Sequence, residues 1–360
     1  MQLQNAIRWS WIDVLTKKRL EALRELFGDA DAAMEVISME LLMRLGLRED
    51  SAMKAMVRLE EFNAAGYTAV LKKKNIALIS MEDPEYPESL REVPDAPVFL
   101  YARGDFSLLS RPCIAIVGTR EMSDYGRRVV SHLIPPIVSA GVITVSGLAY
   151  GIDAEVARET LSSGGKTVAV LGHGLGMIYP KIHEKLADQI VLSGGLLLSE
   201  FPLDTQPDKF SFPARNRIIA GLSLATVVAE AAMDSGSLIT ADLALDYGRD
   251  VCVVPGDIFH VEYAGCHSLL ARGVARLVTS GDDVLQEVGI IGSSATKASS
   301  FTSESLEEQS IFDAMSSLPS ALDDLVIKTK LDAATVNGLL TVLELKGVVK
   351  NAGGGRWVRA

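Results

Sequence analysis

The chain offers little to build a disulfide scaffold, a membrane anchor or a basic coat, and each lack excludes a class of protein. Three cysteines in 360 residues, Cys113, Cys252 and Cys266, are odd in number and widely spaced. They argue against a disulfide framework and fit a reducing compartment. No uninterrupted apolar run reaches the roughly 18 residues a membrane helix needs. The opening MQLQNAIRWSW lacks the charged region and apolar run of a signal peptide. A cytoplasmic location with no membrane partner is therefore expected. Net charge is −11, which argues against a protein that coats itself in nucleic acid. Residues 111–280 hold 14 Lys and Arg against 17 Asp and Glu. An anion site there has to come from clustering, not from bulk charge. Hydrophobic residues make up 48%, enough for packed cores, although only 6% of the chain is aromatic.

What is present falls into blocks, and the length suggests two or three domains. Residues 1–75 read as short helices broken at glycines, a small helical domain of SAM or helix-hairpin-helix type, in which a purely structural role for the LMRLGL turn suits it better than nucleic-acid binding. LTKKRLEALRELFG stops at Gly28, AMEVISMELLMRLGL near Gly46, and EDSAMKAMVRLEEFNAAG at Gly66. Four prolines in residues 81–105 mark an extended connector that leads into a strand at VFLYA. From residue 113, short apolar β-branched runs alternate with helical stretches: CIAIVG, VITVSG, KTVAVLG, LLLSE, ATVVAEA, DVCVVPG and ARLVTS. Near-continuously apolar strands alternating with helices predict an α/β fold, a parallel sheet covered on both faces, over residues 76–285. Pro135–Pro136 should kink or split the first of its helices. Residues 286–304, with their SSATKASS core, read as a linker. Residues 305–360 read as three short amphipathic helices and a glycine-tipped hairpin, a winged-helix shape. That segment carries about as many acids as bases, so a protein contact or a structural role is at least as well supported there as DNA reading.

An open parallel sheet binds ligands beyond the C-terminal ends of its strands. Gly118, Thr119 and Arg120 follow the first strand, and Ser146–Gly147 close the second. Gly174 and Lys181 lie in the segment after the third, and Ser235, Gly236, Ser237 and Thr240 follow ATVVAEA. These turns are rich in glycine and serine and lead into helices, whose N–H groups and dipoles attract anions. With Arg120, Lys181, Arg215, Asn216 and Arg217 they make this edge a phosphate-binding candidate. The glycines also serve tight turns, so a purely structural role stands beside the functional one.

Several common chemistries lack their fingerprints. GHGLG has Met177 where a dinucleotide loop needs glycine, and SGGKT precedes a strand instead of following one. No H-x-x-x-H pair or second Cys/His pair completes a metal set, and no G-x-S-x-G elbow occurs. No cofactor or metal is expected, and no catalytic residue is assigned. Glu200 and Glu230 end strands and are available as general bases, but capping or hydrogen bonding suits them better. In FSFPARNRIIAGLS, Ser211 and Pro213 suit a helix start. Arg215 and Arg217 then fall in or near its first turn, where the dipole disfavours cations by about 0.3–1 kcal/mol each. A bound phosphate would reverse that. Neutralisation by Asp234 or Glu230 is the alternative.

The blocks IAIVGTR (114–120), VSGLAYGID (145–153), GGKTVAVLGHGL (164–175), IYPK (178–181), LLSEFP (197–202), FPARNRIIAGLS (212–223), VAEAAMDSGSLITADLALDYGRDVCVVPG (228–256) and GCHSLLARGVARLV (265–278) together resemble the DNA-processing protein A family, also called DprA or Smf. The resemblance implies an extended Rossmann-like domain without dinucleotide chemistry. It implies a non-enzymatic protein that binds single-stranded DNA in a basic pocket, dimerises, and loads the RecA recombinase during natural transformation. The family's pocket arginine falls on Arg120 and its pocket lysine on Lys181. Its Ala-Arg-Asn-Arg and Ser-Gly-Ser blocks fall on Ala214 to Arg217 and on Ser235 to Ser237. Three positions depart from the pattern. Tyr150 stands where lysine is frequent, GHGLG replaces GTGLD and so adds His173, and Val156–Ala157 replace an Ala-His pair. A nucleotide-binding or nucleotide-hydrolysing enzyme of related fold is the alternative, and its missing P-G-G-x-G-T-x-x-E run counts against it.

Overall fold

A computed structural model of the protein describes residues 1–290, 303, 305–315, 320–346, 348–353 and 356–359. The chain forms two compact units, Met1–Ser293 and Ser294–Ala360. The linker expected over 286–304 lies, beyond residue 290, almost wholly outside the described residues.

The first unit opens with α1 (Leu3–Ile12), α2 (Lys17–Phe27), α3 (Ala30–Glu35), α4 (Met39–Arg44), α5 (Glu49–Glu60) and α6 (Ala64–Lys73). Gly28 ends α2 at φ 87°, a conformation that favours glycine. Two sequence expectations change here. AMEVISMELLMRLGL is two helices, because the Ser38 side chain accepts from the Leu41 N–H and starts a new one. Gly66 ends nothing: its N–H bonds the Asn63 side chain at 2.9 Å, which caps the start of α6.

The sheet and its helices follow. They are β1 (Ile76–Ser80), α7 (Glu88–Arg91), β2 (Phe99–Gly104), β3 (Cys113–Gly118), α8 (Asp124–Ser139), β4 (Ile143–Ser146), α9 (Ile152–Ser162), β5 (Thr167–Val170) and α10 (Glu184–Leu192). Then come β6 (Leu196–Ser199), α11 (Ser211–Leu222), β7 (Ala225–Glu230), α12 (Gly236–Asp246), β8 (Asp250–Val253), α13 (Ala264–Ala271), β9 (Arg276–Leu277) and α14 (Gly281–Glu287). Among the described residues the strand order is β1-β2-β6-β5-β4-β3-β7-β8-β9. The pairs β1–β2 and β2–β6 are antiparallel, and the rest, β6 through β9, are parallel. Alternate residues feed opposite faces. Cys113, Ala115 and Val117 join a core shared with α11, α12 and the N-terminal helices, including Trp9, Leu23 and Leu42. Ile114 and Ile116 join Val130, Leu133, Ile134 and Ile137 of α8 on the other side. The N-terminal helices thus share a core with the sheet.

Pro135 and Pro136 do not split α8, which runs unbroken over 16 residues. Their missing N–H groups would have served the carbonyls of Ser131 and His132, both exposed to water, while Leu133, Ile134 and Ile137 anchor the same stretch in the core. Solvent takes the freed carbonyls and burial holds the helix.

The second unit has α15 (Leu306–Ala314), β10 (Ser320–Ala321), α16 (Leu322–Thr329), α17 (Ala333–Leu345), β11 (Val349–Gly353) and β12 (Arg356–Arg359). Its strands pair in the order β10-β12-β11. Ile311, Leu325, Val336, Leu340, Leu343 and Trp357 form its core. The expected three helices and hairpin are joined by a short third strand, β10.

Candidate functional site

From β3 the chain steps to β4, β5 and β6 on one side, and later returns to place β7 on the other. This reversal leaves a crevice outside the C-terminal ends of β3, β4 and β7. It measures about 1010 Å³. Gly118, Thr119 and Arg120 line it from the β3 turn, and Ser235, Gly236, Ser237 and Thr240 from the β7 turn and α12. Arg215 and Asn216 line it from α11.

Close packing makes the wall. The Thr119 N–H bonds the Glu230 carbonyl at 2.8 Å, and the Ile152 N–H bonds the Thr119 carbonyl at 3.1 Å. Gly151, at φ 72°, lies so near Thr119 and Arg120 that a Cβ would overlap their backbone. Leu148, buried at φ 55°, holds a strained conformation that is fixed from outside: His183 Nδ1 bonds its carbonyl at 2.9 Å. Arg120 is exposed, stacks on the Phe212 ring at 5.4 Å and has no ion pair among the described residues. Lys209 follows no strand directly, so a search of strand ends misses it. It too lines the crevice and lies over the Phe210 ring at 4.9 Å.

The two arginines of PARNR part company. They are the fifth and seventh residues of α11, not members of its first turn. Arg215 is 3% exposed and donates to the carbonyls of Gly147, at 2.7 Å, and Val170. Burial pushes its pKa down to about 10, and the Asp153 carboxylate opposes that fall. Asp153 is itself raised by burial, with Arg215 pulling the other way. Arg217 faces away from the crevice and pairs with Glu200 in a separate cleft of about 440 Å³, beside Asp13 and Asp95. Asp153 and Glu200 thus sit where Asp234 and Glu230 were expected. The physical reason is helical: residues two apart differ by roughly 200° around the axis.

Four other sequence candidates also lie off the crevice lining. The Ser146 hydroxyl donates to the Ile116 carbonyl at 2.9 Å beneath the floor. Gly147 presents its carbonyl to Arg215, leaving no room for a Cβ. Gly174 packs on the backbone of Pro202 and Leu203. Lys181 is exposed, two residues beyond Tyr179, which does line the crevice.

Both carboxylates considered as general bases are engaged. The Glu230 carboxylate accepts from the Ser123 N–H at 3.1 Å, at the start of α8, and burial raises its pKa. The Glu200 carboxyl is raised by burial and drawn down by Arg217. Among the described residues no cluster of three or more His, Cys, Asp or Glu could hold a metal ion. No helix there is long and apolar enough to cross a membrane. All three cysteines are buried and free. In the second unit α17, the third helix, contains no Lys or Arg.

Residues 77–289 match the family model described as DNA recombination-mediator protein A, and residues 295–355 match the DprA winged helix domain. The DNA processing protein DprA of Streptococcus pneumoniae is 49% identical over 208 residues, 58% of this chain and 73% of that protein. An X-ray structure of DprA from Streptococcus pneumoniae superposes with TM-score 0.67 at 38% identity, over 80% of this chain and 99% of that one. A structure of DNA processing protein A from Helicobacter pylori, described as revealing a unique single-stranded DNA binding mode, aligns with TM-score 0.54 at 30% identity, over 59% of this chain and 95% of that one.

Proposed function

The chain belongs to the DNA recombination-mediator protein A family, and on that premise we propose that it binds single-stranded DNA along the crevice at the strand ends and delivers it to the RecA recombinase. Arg120 carries this reading. It is an exposed cation without an ion pair among the described residues, at the reversal point of an open parallel sheet, and an aromatic ring holds its guanidinium over the crevice. Lys209 and Lys181 extend the positive charge on the same side of the sheet. The turns at Gly118–Thr119 and Ser235–Ser237, with Asn216 and Thr240, supply hydrogen-bond donors for phosphate oxygens. α12 has no acid in its first turn, so its dipole favours an anion there. Arg215 and Gly147 shape the floor, and Arg217 serves the other cleft. A homodimer working in the cytoplasm, active in transformation, completes the proposal. With both Glu200 and Glu230 engaged, nothing favours the nucleotide-hydrolase alternative.

The test is a titration of fluorescent oligo-dT with wild type, Arg120→Ala and Lys209→Ala at two salt concentrations, with matched duplex alongside. Tight binding to the single strand, falling with salt at a slope of about 0.7 per phosphate contacted and weakened in both variants, is the expected result. Binding that ignores salt, or that survives in Arg120→Ala undiminished, refutes the site. A strand-exchange assay with RecA then tests the hand-over: no acceleration by wild type refutes it.

A further inference from the structure

The crevice has a side slot that phosphate binding leaves unexplained. It is lined by Arg120, Tyr150, His173, Tyr179, Pro180 and Phe212, among others, and opens into the crevice, since Arg120, Tyr179 and Phe212 line both. Two large aromatic side chains stand half out of the protein at this point. Tyr150 is 49% exposed and Tyr179 is 48% exposed. In a chain with few aromatics, paired exposed rings beside a cation are an unusual use of apolar surface.

Both rings are held from behind. Tyr150 meets the buried His183 ring edge-on at 5.5 Å, and His183 is fixed by its bond to the Leu148 carbonyl. Tyr179 tilts against Phe212 at 5.9 Å, the same ring that carries Arg120. The Tyr179 N–H donates to His173 Nε2 at 3.2 Å, while His173 Nδ1 bonds the Gly174 carbonyl at 3.0 Å. That pattern is a neutral imidazole, and burial lowers its pKa further. His173 therefore adds no cation to the mouth. It pins the backbone of Tyr179. The slot itself, about 40 Å³, is too small to enclose a nucleobase, so a base could only lie across the exposed rings.

We propose that Tyr150 and Tyr179 are stacking surfaces for unpaired nucleobases, gripping a strand by its bases where Arg120 meets its phosphates. The inference rests on the single-strand reading above and deepens it. An unpaired base has a free π-face whatever its identity, so such a pair gives affinity without sequence preference and excludes duplex, whose faces are already stacked.

The test compares oligo-dT with an abasic oligonucleotide of equal length, using the full chain. Wild type should bind the abasic strand roughly 5- to 150-fold more weakly for each stacked base removed. Tyr150→Leu/Tyr179→Leu should bind oligo-dT as weakly as wild type binds the abasic strand, and should no longer tell the two apart. Tyr150→Phe/Tyr179→Phe, which keeps both rings, should restore the preference. Melting curves of all variants check folding. If wild type binds both strands equally, or the leucine variant keeps its preference for oligo-dT, the stacking proposal is overturned while the single-strand reading stands. If wild type binds neither strand, both fall.

Discussion

Replacing Arg215 by methionine separates an arginine that holds the crevice together from one that meets a ligand. Arg215 is enclosed, donates to the Gly147 and Val170 carbonyls and offsets the buried Asp153. Methionine fills much of the volume but leaves two carbonyls without their donor and one carboxyl without its countercharge. Removing one member of such a buried charged arrangement costs about 3–5 kcal/mol. At about 2–4 °C per kcal/mol for a unit of this size, Tm should fall by roughly 6–20 °C. Arg120→Ala, at an exposed position, should stay within about 0.5 kcal/mol of wild type. The loss in Arg215→Met should also depend on pH. Asp153 already has its folded pKa raised above the usual carboxylate range, and losing Arg215 raises it further. Between its unfolded and folded pKa values the folded state then binds more protons than the unfolded one, so stability falls as pH rises through that window. The variant should therefore lie closest to wild type in acid and fall away toward neutrality, by up to about 1.4 kcal/mol per pH unit. Adding Asp153→Leu should recover part of the loss, since an apolar pair can replace a buried charged one. Calorimetry at several pH values is the measurement. Equal Tm for Arg215→Met and Arg120→Ala, or a deficit that shrinks as pH rises, refutes the reasoning.

Arg217→Ala should lower stability by about 2 kcal/mol, because it strands Glu200 in a largely buried cleft, yet change oligo-dT affinity less than twofold; a large loss of affinity with unchanged Tm would return Arg217 to the crevice. Gly174→Ala should destabilise strongly, since its Cβ meets backbone of Pro202 and Leu203 that cannot step aside, and denaturant titration reads this directly. Gly236→Ala meets nothing within 4 Å, so stability should hold or rise by up to about 1 kcal/mol; any drop in affinity there measures how closely a phosphate approaches the α12 turn.

Much of this architecture is legible in the sequence because its signals are local. Unbroken apolar runs such as CIAIV and ATVVA belong to strands buried on both faces, and the glycines and serines behind them announce turns at one edge. What stays hidden depends on rotation and depth. Arg215 and Arg217 look like one basic motif, although their two-residue spacing sends them to opposite sides of α11. That spacing is the available signal, and it argues against a shared site. Gly147, Gly174 and Gly236 are also alike in sequence. Only the packing shows that the first makes room for Arg215, the second for backbone, and the third for open space. Lys209 is hard to find because it follows no strand directly, and Tyr179 because a search for glycine, serine and cations passes over an aromatic side chain in the turn it reads. Pro135–Pro136 mislead because the helix rule concerns lost hydrogen bonds, and here the freed carbonyls face water.

An acidic protein can gather positive potential only by local clustering, and the helix starts at this edge differ in how far carboxylates occupy them. Every helix that follows a parallel strand directs its positive end toward the crevice side of the sheet. At α8 the Glu230 carboxylate already takes the Ser123 N–H. At α9 Asp153 turns back on the Ala149 N–H at 3.3 Å. At α11 Asp208 takes the Phe210 N–H at 2.8 Å. α12 begins on Ser235 with no acid in its first turn. The Asn216 amide reaches across to the Gly236 carbonyl at 3.4 Å and ties α11 to that turn. The α12 end is thus capped by a neutral hydroxyl, Ser235 Oγ accepting from the Ser237 N–H, and not by a carboxylate, and it lies within the same crevice as Arg120 and Lys209. Net charge is a poor guide to such a site, because an anion responds to the local clustering of Arg120, Lys209 and the α12 N-terminus and not to the sum over the chain.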